Sequence, residues 1–302
     1  MAKERRQLSG KVVAITGGAR GIGKTTAQAL VGKGCRVAIG DLDLGLAETA
    51  AAELGGGSVG LALDVSDRGS FAAFLDEAER QLGPVDVVIN NAGLMPVTPF
   101  VEESDASIRR QLDVNLYGVI VGTQLAIERM RPRRRGHVVN IASSAGKAGV
   151  PGIATYSATK HAVVGLTEAV RAEHQDDGIE FSYVMPITVN TQLIEGLKDH
   201  LGVKRVEPED VAAEIIDALE TGKIDVYVPK QLRASVMMGG ILPRKAREAV
   251  GRLMGVDKVM TEVDPQARRA YEERVAAAEP SPGESDTEMA AGEQQKQQSH
   301  PA

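Results

Sequence analysis

Short apolar segments alternate with longer helical patterns along most of the chain. The apolar segments have the length of buried strands and lie at Lys11–Thr16, Arg36–Gly40, Val59–Leu63, Val85–Asn90, His137–Ala142, Glu180–Val184 and Asp225–Val228. The helical patterns between them cover residues 21–33, 44–54, 70–82, 105–131 and 156–174, and a further one begins near Pro208. Strands separated by helices pair in parallel through right-handed crossovers. The alternation therefore predicts an α/β fold, a doubly wound parallel sheet of about seven strands with helices on both faces.

The apolar composition suits such a sheet. Hydrophobic residues make up 43% of the 302 residues, whereas aromatic residues make up only 3% and Trp is absent. A core of Ala, Val, Leu and Ile is typical of parallel strands that are covered on both faces. We predict three parts: a main α/β domain over residues 8–230, a helical C-terminal extension over 231–278 near the entrance of the ligand site, and a disordered acidic, Gln-rich tail over 279–302. Pro243 and Pro265 are the predicted breaks within the extension.

The charge distribution argues against nucleic acid as a partner. Five acidic side chains and one basic one lie in residues 279–302, so the tail carries most of the net charge of −6 and the body is nearly neutral. The single cysteine, Cys35, cannot form an internal disulfide, which suits a reducing compartment. Met1–Gly10 lacks the apolar stretch of a signal peptide, and no apolar run reaches the length of a membrane span. These features predict a soluble cytoplasmic protein.

A basic segment in the C-terminal extension leaves two interpretations open. Residues 230–258 contain seven basic and two acidic side chains. A basic amphipathic segment can lie on an anionic membrane, which would give a peripheral membrane contact. The segment lacks aromatic anchors, however, and helices that cover a ligand entrance or a subunit contact have the same pattern.

A glycine-rich turn follows the first predicted strand directly. Gly17, Gly21 and Gly23 allow a tight turn and close backbone approach at the start of the first helix. The exposed N–H groups and the positive end of the helix dipole then favour a pyrophosphate. The turn also contains Arg20 and Ile22, and the position after a strand indicates a dinucleotide site.

Polar residues follow the next three predicted strands. Asp41 ends the second strand, where a carboxylate can accept hydrogen bonds from the adenosine ribose and repel a 2′-phosphate. This favours NAD over NADP, although Arg20 could instead pair with that phosphate. Asp64 ends the third strand near the expected adenine edge, and Asn90–Gly93 ends the fourth, where the backbone can pass close to the cofactor.

Tyr156 and Lys160 are separated by one helical turn and therefore share a helix face. A free tyrosine has a pKa of about 10, so it holds its proton too tightly to act as a base at neutral pH. A neighbouring ammonium would favour the phenolate and lower this pKa. The pair is predicted to form a proton-transfer device for hydride-transfer chemistry.

At these residues the chain resembles the short-chain dehydrogenase/reductase family. The matching elements occur in the family's order and at its spacings over residues 8–230: Thr16–Gly23, Asp64, Asn90–Gly93, Asn115, Ser143, and Tyr156 with Lys160. The resemblance implies a Rossmann fold and NAD as cofactor, with NADP as the less favoured choice and no metal. It also implies a catalytic set in which Tyr156 is the general acid/base, Lys160 binds the nicotinamide ribose, Ser143 hydrogen-bonds the substrate oxygen and Asn115 holds a water of the proton relay. The implied cofactor-binding residues are Gly17, Arg20, Gly21, Ile22, Gly23, Asp41, Asp64, Val65, Asn91, Ala92, Gly93, Tyr156, Lys160, Pro186, Thr188, Val189 and Thr191.

The chain departs from the family pattern after the sixth strand, where the usual Pro-Gly is Pro186-Ile187. Glycine permits backbone angles that isoleucine resists, so this loop could take another path or Ile187 could project into the substrate pocket. Thr191–Val203 is the predicted lid over the substrate. The predicted substrate pocket contains Leu94, Met95, Ser143, Val150, Ile153, Ile187 and Leu193, and it favours an apolar alcohol or ketone, with ordinary core packing as the alternative interpretation of the apolar members.

These observations predict an oxidoreductase that transfers a hydride between NAD(H) and a hydrophobic secondary alcohol or ketone. An alternative is an NADPH-dependent ketone or acyl-thioester reductase. A second is a nucleotide-sensing or scaffold protein on the same fold. By family resemblance, the chain is expected to form a homodimer or homotetramer through the helices near 105–131 and 154–174.

Overall fold

Seven parallel strands form one sheet in the computed structural model, which describes residues 5–197, 205–241, 243, 245, 246, 249 and 264–277. The strands are β1 (Val12–Thr16), β2 (Arg36–Asp41), β3 (Val59–Ala62), β4 (Val87–Asn90), β5 (Gly136–Ile141), β6 (Ile179–Pro186) and β7 (Asp225–Val228). Their order is β3-β2-β1-β4-β5-β6-β7, and every pairing is parallel. The order reverses between β1 and β4, so the carboxyl ends of these two strands flank the crevice in which doubly wound sheets bind ligands.

Helices connect the strands and continue beyond the last one. They are α1 (Gly21–Gly32), α2 (Leu44–Leu54), α3 (Arg68–Leu82), α4 (Asp105–Leu112), α5 (Gly118–Met130), α6 (Ala154–Glu173), α7 (Pro208–Thr221), α8 (Leu232–Ile241) and α9 (Pro265–Ala277). The predicted doubly wound α/β fold is confirmed.

The sheet is buried on both faces, and β1 shows how its residues divide. Val13 and Ile15 belong to a core cluster that includes α1, α2 and α7 residues. Val12 and Ala14 belong to the opposite cluster, which contains Phe71 of α3 and α5 residues. Because successive side chains of a strand point to opposite faces, a strand that is apolar throughout requires helices on both sides.

Local sequence signals fix several helix ends. Asp43, Asp67 and Ser104 each accept a hydrogen bond from a backbone N–H in the first turn of α2, α3 and α4. Gly55 and Gly222 end α2 and α7 with positive φ angles of 64° and 70°, which glycine adopts readily.

The predicted single helix over 105–131 is interrupted. A π-helical turn at Asp113–Tyr117 separates α4 from α5. Such turns insert an extra residue into a helix and occur frequently at functional sites.

In the C-terminal extension, α9 begins at Pro265, because proline is tolerated in the first turn of a helix. Residues 250–263 lie outside the described part of the chain, so the predicted break at Pro265 stays a prediction. The predicted tail over 279–302, and much of the basic segment over 230–258, lie outside the described residues. Among the helices that the structure describes, none combines the length and apolarity needed to cross a membrane.

Candidate active site

A cavity of about 930 Å³ opens at the carboxyl ends of the strands. All but two of the site residues predicted from the sequence line it. The exceptions are Gly23 and Asn115, which lie behind the cavity wall and contact residues that do line it. The crevice between β1 and β4 therefore contains the predicted site.

The glycine-rich turn is packed too tightly for side chains at two positions. A Cβ on Gly23 would lie 2.4 Å from the Gly17 carbonyl oxygen, and one on Gly17 would lie 2.9 Å from the Ala92 Cα. Gly17 and Gly21 also have positive φ angles, 61° and 49°. No side chain caps the start of α1. The first amides of α1 can therefore bind a phosphate, which is the fit that a dinucleotide requires.

Asn91 connects the ends of β1 and β4. Its Nδ2 donates hydrogen bonds to the carbonyl oxygens of Thr16 and Gly17, each at 2.9 Å. In return, the Thr16 hydroxyl accepts from the backbone N–H groups of Asn91 and Ala92 at 3.0 and 2.9 Å. These bonds hold the glycine-rich turn against the 91–104 loop that follows β4.

Two carboxylates line the adenosine side of the cavity. Asp41 Oδ2 accepts a hydrogen bond from the backbone N–H of Ala19 at 3.2 Å, so it braces the glycine-rich turn as well as facing the cavity. Asp64 Oδ1 accepts from the backbone N–H and hydroxyl of Ser66 at 2.8 and 2.6 Å. The exposed Arg20 lines the same cavity, so a cation and an anion both lie near the expected ribose.

Asn115 lies in the π-helical turn and is fully buried. Its amide makes two hydrogen bonds with the backbone of Leu94, accepting from the N–H and donating to the C=O, both at 2.8 Å. A Cβ on Gly93 would lie 3.2 Å from Asn115 Oδ1 and 3.6 Å from Lys160 Nζ. Asn115 therefore fixes the backbone between the cofactor side and the substrate side of the cavity.

Ser143, Tyr156 and Lys160 come together on one wall. The 3₁₀ turn Ser144–Gly146 brings Ser143 next to α6, since Gly146 is so close that a Cβ would lie 2.7 Å from the Lys160 carbonyl oxygen. The Ser143 side chain lies near enough to the Tyr156 hydroxyl to favour the phenolate. Lys160 Nζ lies 5.6 Å from the centre of the Tyr156 ring and donates to the Ile141 carbonyl at 2.8 Å. The predicted catalytic wall is thus a contiguous group of side chains.

Burial shifts both pKa values in this group. It raises the pKa of Tyr156 to about 12, while the nearby Ser143 side chain acts in the opposite direction. Burial also lowers the pKa of Lys160 to about 8. We expected the Lys160 ammonium to lower the Tyr156 pKa, but in the protein without cofactor the desolvation of the phenolate is the larger effect.

The buried Lys160 predicts a pH-dependent stability. Its pKa is about 8 in the folded protein against 10.5 for a lysine exposed to water, so between these values unfolding takes up a proton and stability rises with pH. Relative to Lys160→Met, we expect the free energy of unfolding of the wild type to rise by about 2 kcal/mol between pH 8 and pH 10. Urea titrations of both proteins across this range measure it. A difference that stays flat or falls as the pH rises would contradict the prediction.

The loop after β6 accommodates Ile187 without strain. Its backbone N–H donates to the Val228 carbonyl at 2.9 Å, which continues the pairing of β6 with β7. Among the described residues, Arg134 is the only non-glycine with a positive φ, so Ile187 does not adopt a glycine-type conformation. Its side chain lines the cavity and also packs against the core cluster of α1 and α7.

An apolar cluster borders the part of the cavity where the substrate is predicted to bind, which is called the substrate side below. Its members are Met95, Ala145, Ile153, Tyr156, Ile194 and Leu197, with Val97, Val150 and Leu193 packed against them. The predicted lid begins here, but residues 198–204 lie outside the described part of the chain.

Sequence reasoning placed the C-terminal extension near the entrance of the site, but it named no residue of α9 as part of the cavity. Tyr271 lines the cavity, and its hydroxyl accepts a hydrogen bond from the Met95 backbone N–H at 2.9 Å. Arg268 is also buried against the substrate side. The missed lining residues elsewhere include Leu42, Ala106, Arg109, Arg110, Asp113, Val114, Leu232 and Val236. A lone Tyr in a mostly polar helix gives no periodic signal, so only the three-dimensional packing identifies it.

Comparisons with known proteins agree with this geometry. A family model described as short chain dehydrogenase matches residues 11–202. The 2-(S)-hydroxypropyl-CoM dehydrogenase 3 of Xanthobacter autotrophicus is 33% identical over 260 residues, 85% of this chain and 99% of that protein. The 17-beta-hydroxysteroid dehydrogenase 13 of Rattus norvegicus is 28% identical and covers 84% of this chain and 86% of its own length.

A crystal structure of a short chain dehydrogenase/reductase from Burkholderia phymatum, in complex with NAD, has the same fold. It aligns with a TM-score of 0.71 and 25% identity over 77% of this chain and 93% of that chain. A family match that spans most of the sheet, together with a relative that is similar over nearly its whole length, establishes that the chain belongs to the short-chain dehydrogenase/reductase family of NAD(P)-dependent, Rossmann-fold oxidoreductases.

Proposed function

We propose that the protein transfers a hydride between NAD(H) and an apolar secondary alcohol or ketone, with Tyr156 as the general acid/base. The observation that carries the proposal is the convergence of Ser143, Tyr156 and Lys160 on one wall of a cavity whose other side is the glycine-rich turn. A bound nicotinamide supplies or accepts the hydride. The side chains of this chain then have to position the substrate oxygen and move one proton.

Each residue of the wall has a distinct role. Ser143 hydrogen-bonds the substrate oxygen and holds it beside the Tyr156 hydroxyl. During reduction, Tyr156 gives its proton to that oxygen as the carbonyl carbon gains the hydride. During oxidation, the phenolate takes the proton of the alcohol. Lys160 binds the nicotinamide ribose and carries a positive charge at neutral pH, because its pKa is about 8.

Ketone reduction and alcohol oxidation need Tyr156 in different protonation states, so its pKa affects the two directions of the reaction differently. At about 12, the phenol keeps its proton at neutral pH and is ready to act as an acid in ketone reduction. Oxidation needs the phenolate, which the positive charge of an oxidised nicotinamide would favour. Asn115, which we assign to a water of the proton relay, lies behind this wall and contacts Leu94 and Thr159.

NAD is the proposed dinucleotide because Asp41 faces the cavity at the end of β2, where a carboxylate would repel a 2′-phosphate. The relative of known structure was crystallised with NAD. Arg20 in the same cavity is the observation that favours the alternative, an NADPH-dependent ketone or acyl-thioester reductase.

The substrate is proposed to be apolar because Met95, Ile153 and Ile194 form its side of the cavity. The rat relative is named for a hydroxysteroid, which is an apolar secondary alcohol.

We also propose a homo-oligomer that assembles through α4, α5 and α6. Leu112 and Tyr117 are exposed apolar side chains on this part of the surface.

A substrate panel tests the proposal. Steroid, terpenoid and aliphatic secondary alcohols are assayed with NAD and with NADP, and we expect the ratio of kcat/KM to favour NAD by at least about tenfold for the best substrate. Asp41→Asn removes the negative charge. It should bring kcat/KM with NADP closer to kcat/KM with NAD, without changing the order in which the alcohols rank as substrates. A preference for NADP would support the reductase alternative. Dinucleotide binding without turnover of any alcohol or matching ketone would support the nucleotide-sensing alternative.

A further inference from the structure

Helix α9 contacts both loops that border the substrate side of the cavity. One guanidinium bridges them: Arg268 Nη2 donates to the Met95 carbonyl in the 91–104 loop. Arg268 Nη1 donates to the carbonyls of Leu193 and Glu195, both at 3.2 Å, in the segment over residues 187–197 that follows β6. The two loops approach the cavity from different strands, so a residue that holds both fixes the distance between them.

Burial of this guanidinium is costly unless its donors are satisfied. The Arg268 side chain is 1% exposed, and burial lowers its pKa. Its partners are three backbone carbonyls, the Glu272 carboxylate, 3.3 Å from Nε, and the face of the Tyr271 ring, whose centre lies 4.9 Å away. The planar guanidinium group has several N–H donors that point in different directions, so it can reach carbonyls on both loops. The ammonium group of lysine does this less well. The position therefore requires an arginine for geometric reasons.

Met95 is held at both of its backbone polar groups. Its N–H donates to the Tyr271 hydroxyl at 2.9 Å, and its carbonyl accepts from Arg268. Met95 is 3% exposed, lines the cavity and belongs to the same apolar cluster as Tyr156. α9 thus determines where a residue that packs with Tyr156 can lie.

The other loop is fitted to α9 equally closely. Gly196 has a φ of 78°, and a Cβ there would lie 2.8 Å from the Asp264 carbonyl oxygen and 3.0 Å from the Arg268 backbone nitrogen. The Asp264 N–H donates to the Gly196 carbonyl at 2.8 Å, and Asp264 Oδ1 caps the first turn of α9. The start of the helix and the loop are therefore joined through the backbone.

We infer that Arg268 and Tyr271 are positioning residues that set the shape of the substrate-side wall and so select which alcohols reach Tyr156. The inference rests on the proposed function for its kinetic consequence, whereas its structural consequence can be measured independently. Loss of the Arg268 contacts would let Met95 and residues 193–197 separate, while the dinucleotide side, which α9 does not contact through these bonds, would remain intact.

Hydrogen exchange and kinetics test the inference on the full chain. Arg268→Ala is compared with Arg269→Ala, whose parent side chain is 78% exposed and pairs with Glu273. We expect Arg268→Ala to speed exchange of the Ile194, Glu195 and Leu197 amides at least about tenfold. We also expect it to raise KM for the best alcohol by about tenfold, with the Kd of NAD unchanged within about twofold. Arg269→Ala should change none of these.

Tyr271→Phe keeps the ring under Arg268 and removes the acceptor for the Met95 N–H. It should speed exchange of that amide while the amides of residues 194–197 stay protected. If Arg268→Ala does not fold, Tyr271→Phe alone still tests the inference. Unchanged exchange in both variants would overturn the inference, and so would a uniform increase across the sheet, which would indicate general destabilisation. Failure of the proposed function would appear differently, as absence of alcohol turnover in the wild type with the exchange results as expected.

Discussion

Replacement of Tyr156 with phenylalanine is expected to lower kcat by at least about a thousandfold, since a positioned acid/base contributes on this scale. The substitution removes only the hydroxyl, which lies near the Ser143 side chain. The ring keeps its place in the apolar cluster with Met95 and Ile153 and its position 5.6 Å from Lys160 Nζ. The Kd of NAD should therefore stay within about twofold of the wild type. Steady-state assays with the best alcohol and calorimetric titration with NAD measure the two quantities.

Tyr183→Phe is the matched control. Tyr183 is also a buried tyrosine, but its hydroxyl donates to the Glu168 carboxylate at 3.0 Å and is not part of the cavity lining. It should keep kcat within about twofold, because no proton of the reaction passes through it. If Tyr156→Phe kept a tenth or more of the wild-type kcat, the acid/base assignment would be wrong.

Gly23→Ala is expected to weaken NAD binding by at least about a hundredfold, equivalent to about 3 kcal/mol. The new Cβ would lie 2.4 Å from the Gly17 carbonyl oxygen, 2.7 Å from Asn91 Nδ2 and 2.9 Å from the Gly18 Cα. These atoms form or brace the turn that we propose binds the pyrophosphate, so the turn has to open before alanine can fit. Titration with NAD measures the loss, and circular dichroism checks that the sheet is still formed.

Gly32→Ala provides the comparison within the same helix. A Cβ on Gly32 meets nothing within 4 Å, so alanine should leave NAD affinity unchanged and stabilise α1 by about 0.5–1 kcal/mol. If both variants lost NAD affinity equally, an added methyl group anywhere in α1 would weaken binding. The close approach at Gly23 would then not be the cause of the loss in Gly23→Ala.

The fold was predictable because each signal in the sequence was local and agreed with its neighbours. β1 is apolar from Val12 to Ile15 and is followed at once by glycines and a helical pattern, which leaves few alternatives to a parallel sheet with a dinucleotide crevice. The cavity lining was predictable for the same reason. Asp41, Asn91 and Tyr156 lie at or beyond strand ends, and all parallel strands end on one edge of the sheet.

The features that were not predicted depend on contacts between distant parts of the chain. The pKa of Tyr156 depends on how completely the surrounding residues exclude water, and the sequence indicates only that Lys160 is near. The π-helical turn around Asn115 reflects its two hydrogen bonds to the Leu94 backbone. Ile187 replaces a glycine without strain because its N–H pairs with β7, a strand that follows much later.

The contacts of α9 also give the site an order of assembly. A ribosome synthesises a chain from the N-terminus to the C-terminus. The N-terminal part of a domain can therefore begin to fold before the rest has been made. The glycine-rich turn, Asp41 and Asn91 emerge first, and Tyr156 and Lys160 follow. Tyr271 and Arg268, which hold Met95 in place, are among the later residues to leave the exit tunnel. A nascent chain can therefore acquire its nucleotide crevice well before the wall that meets the substrate has been built.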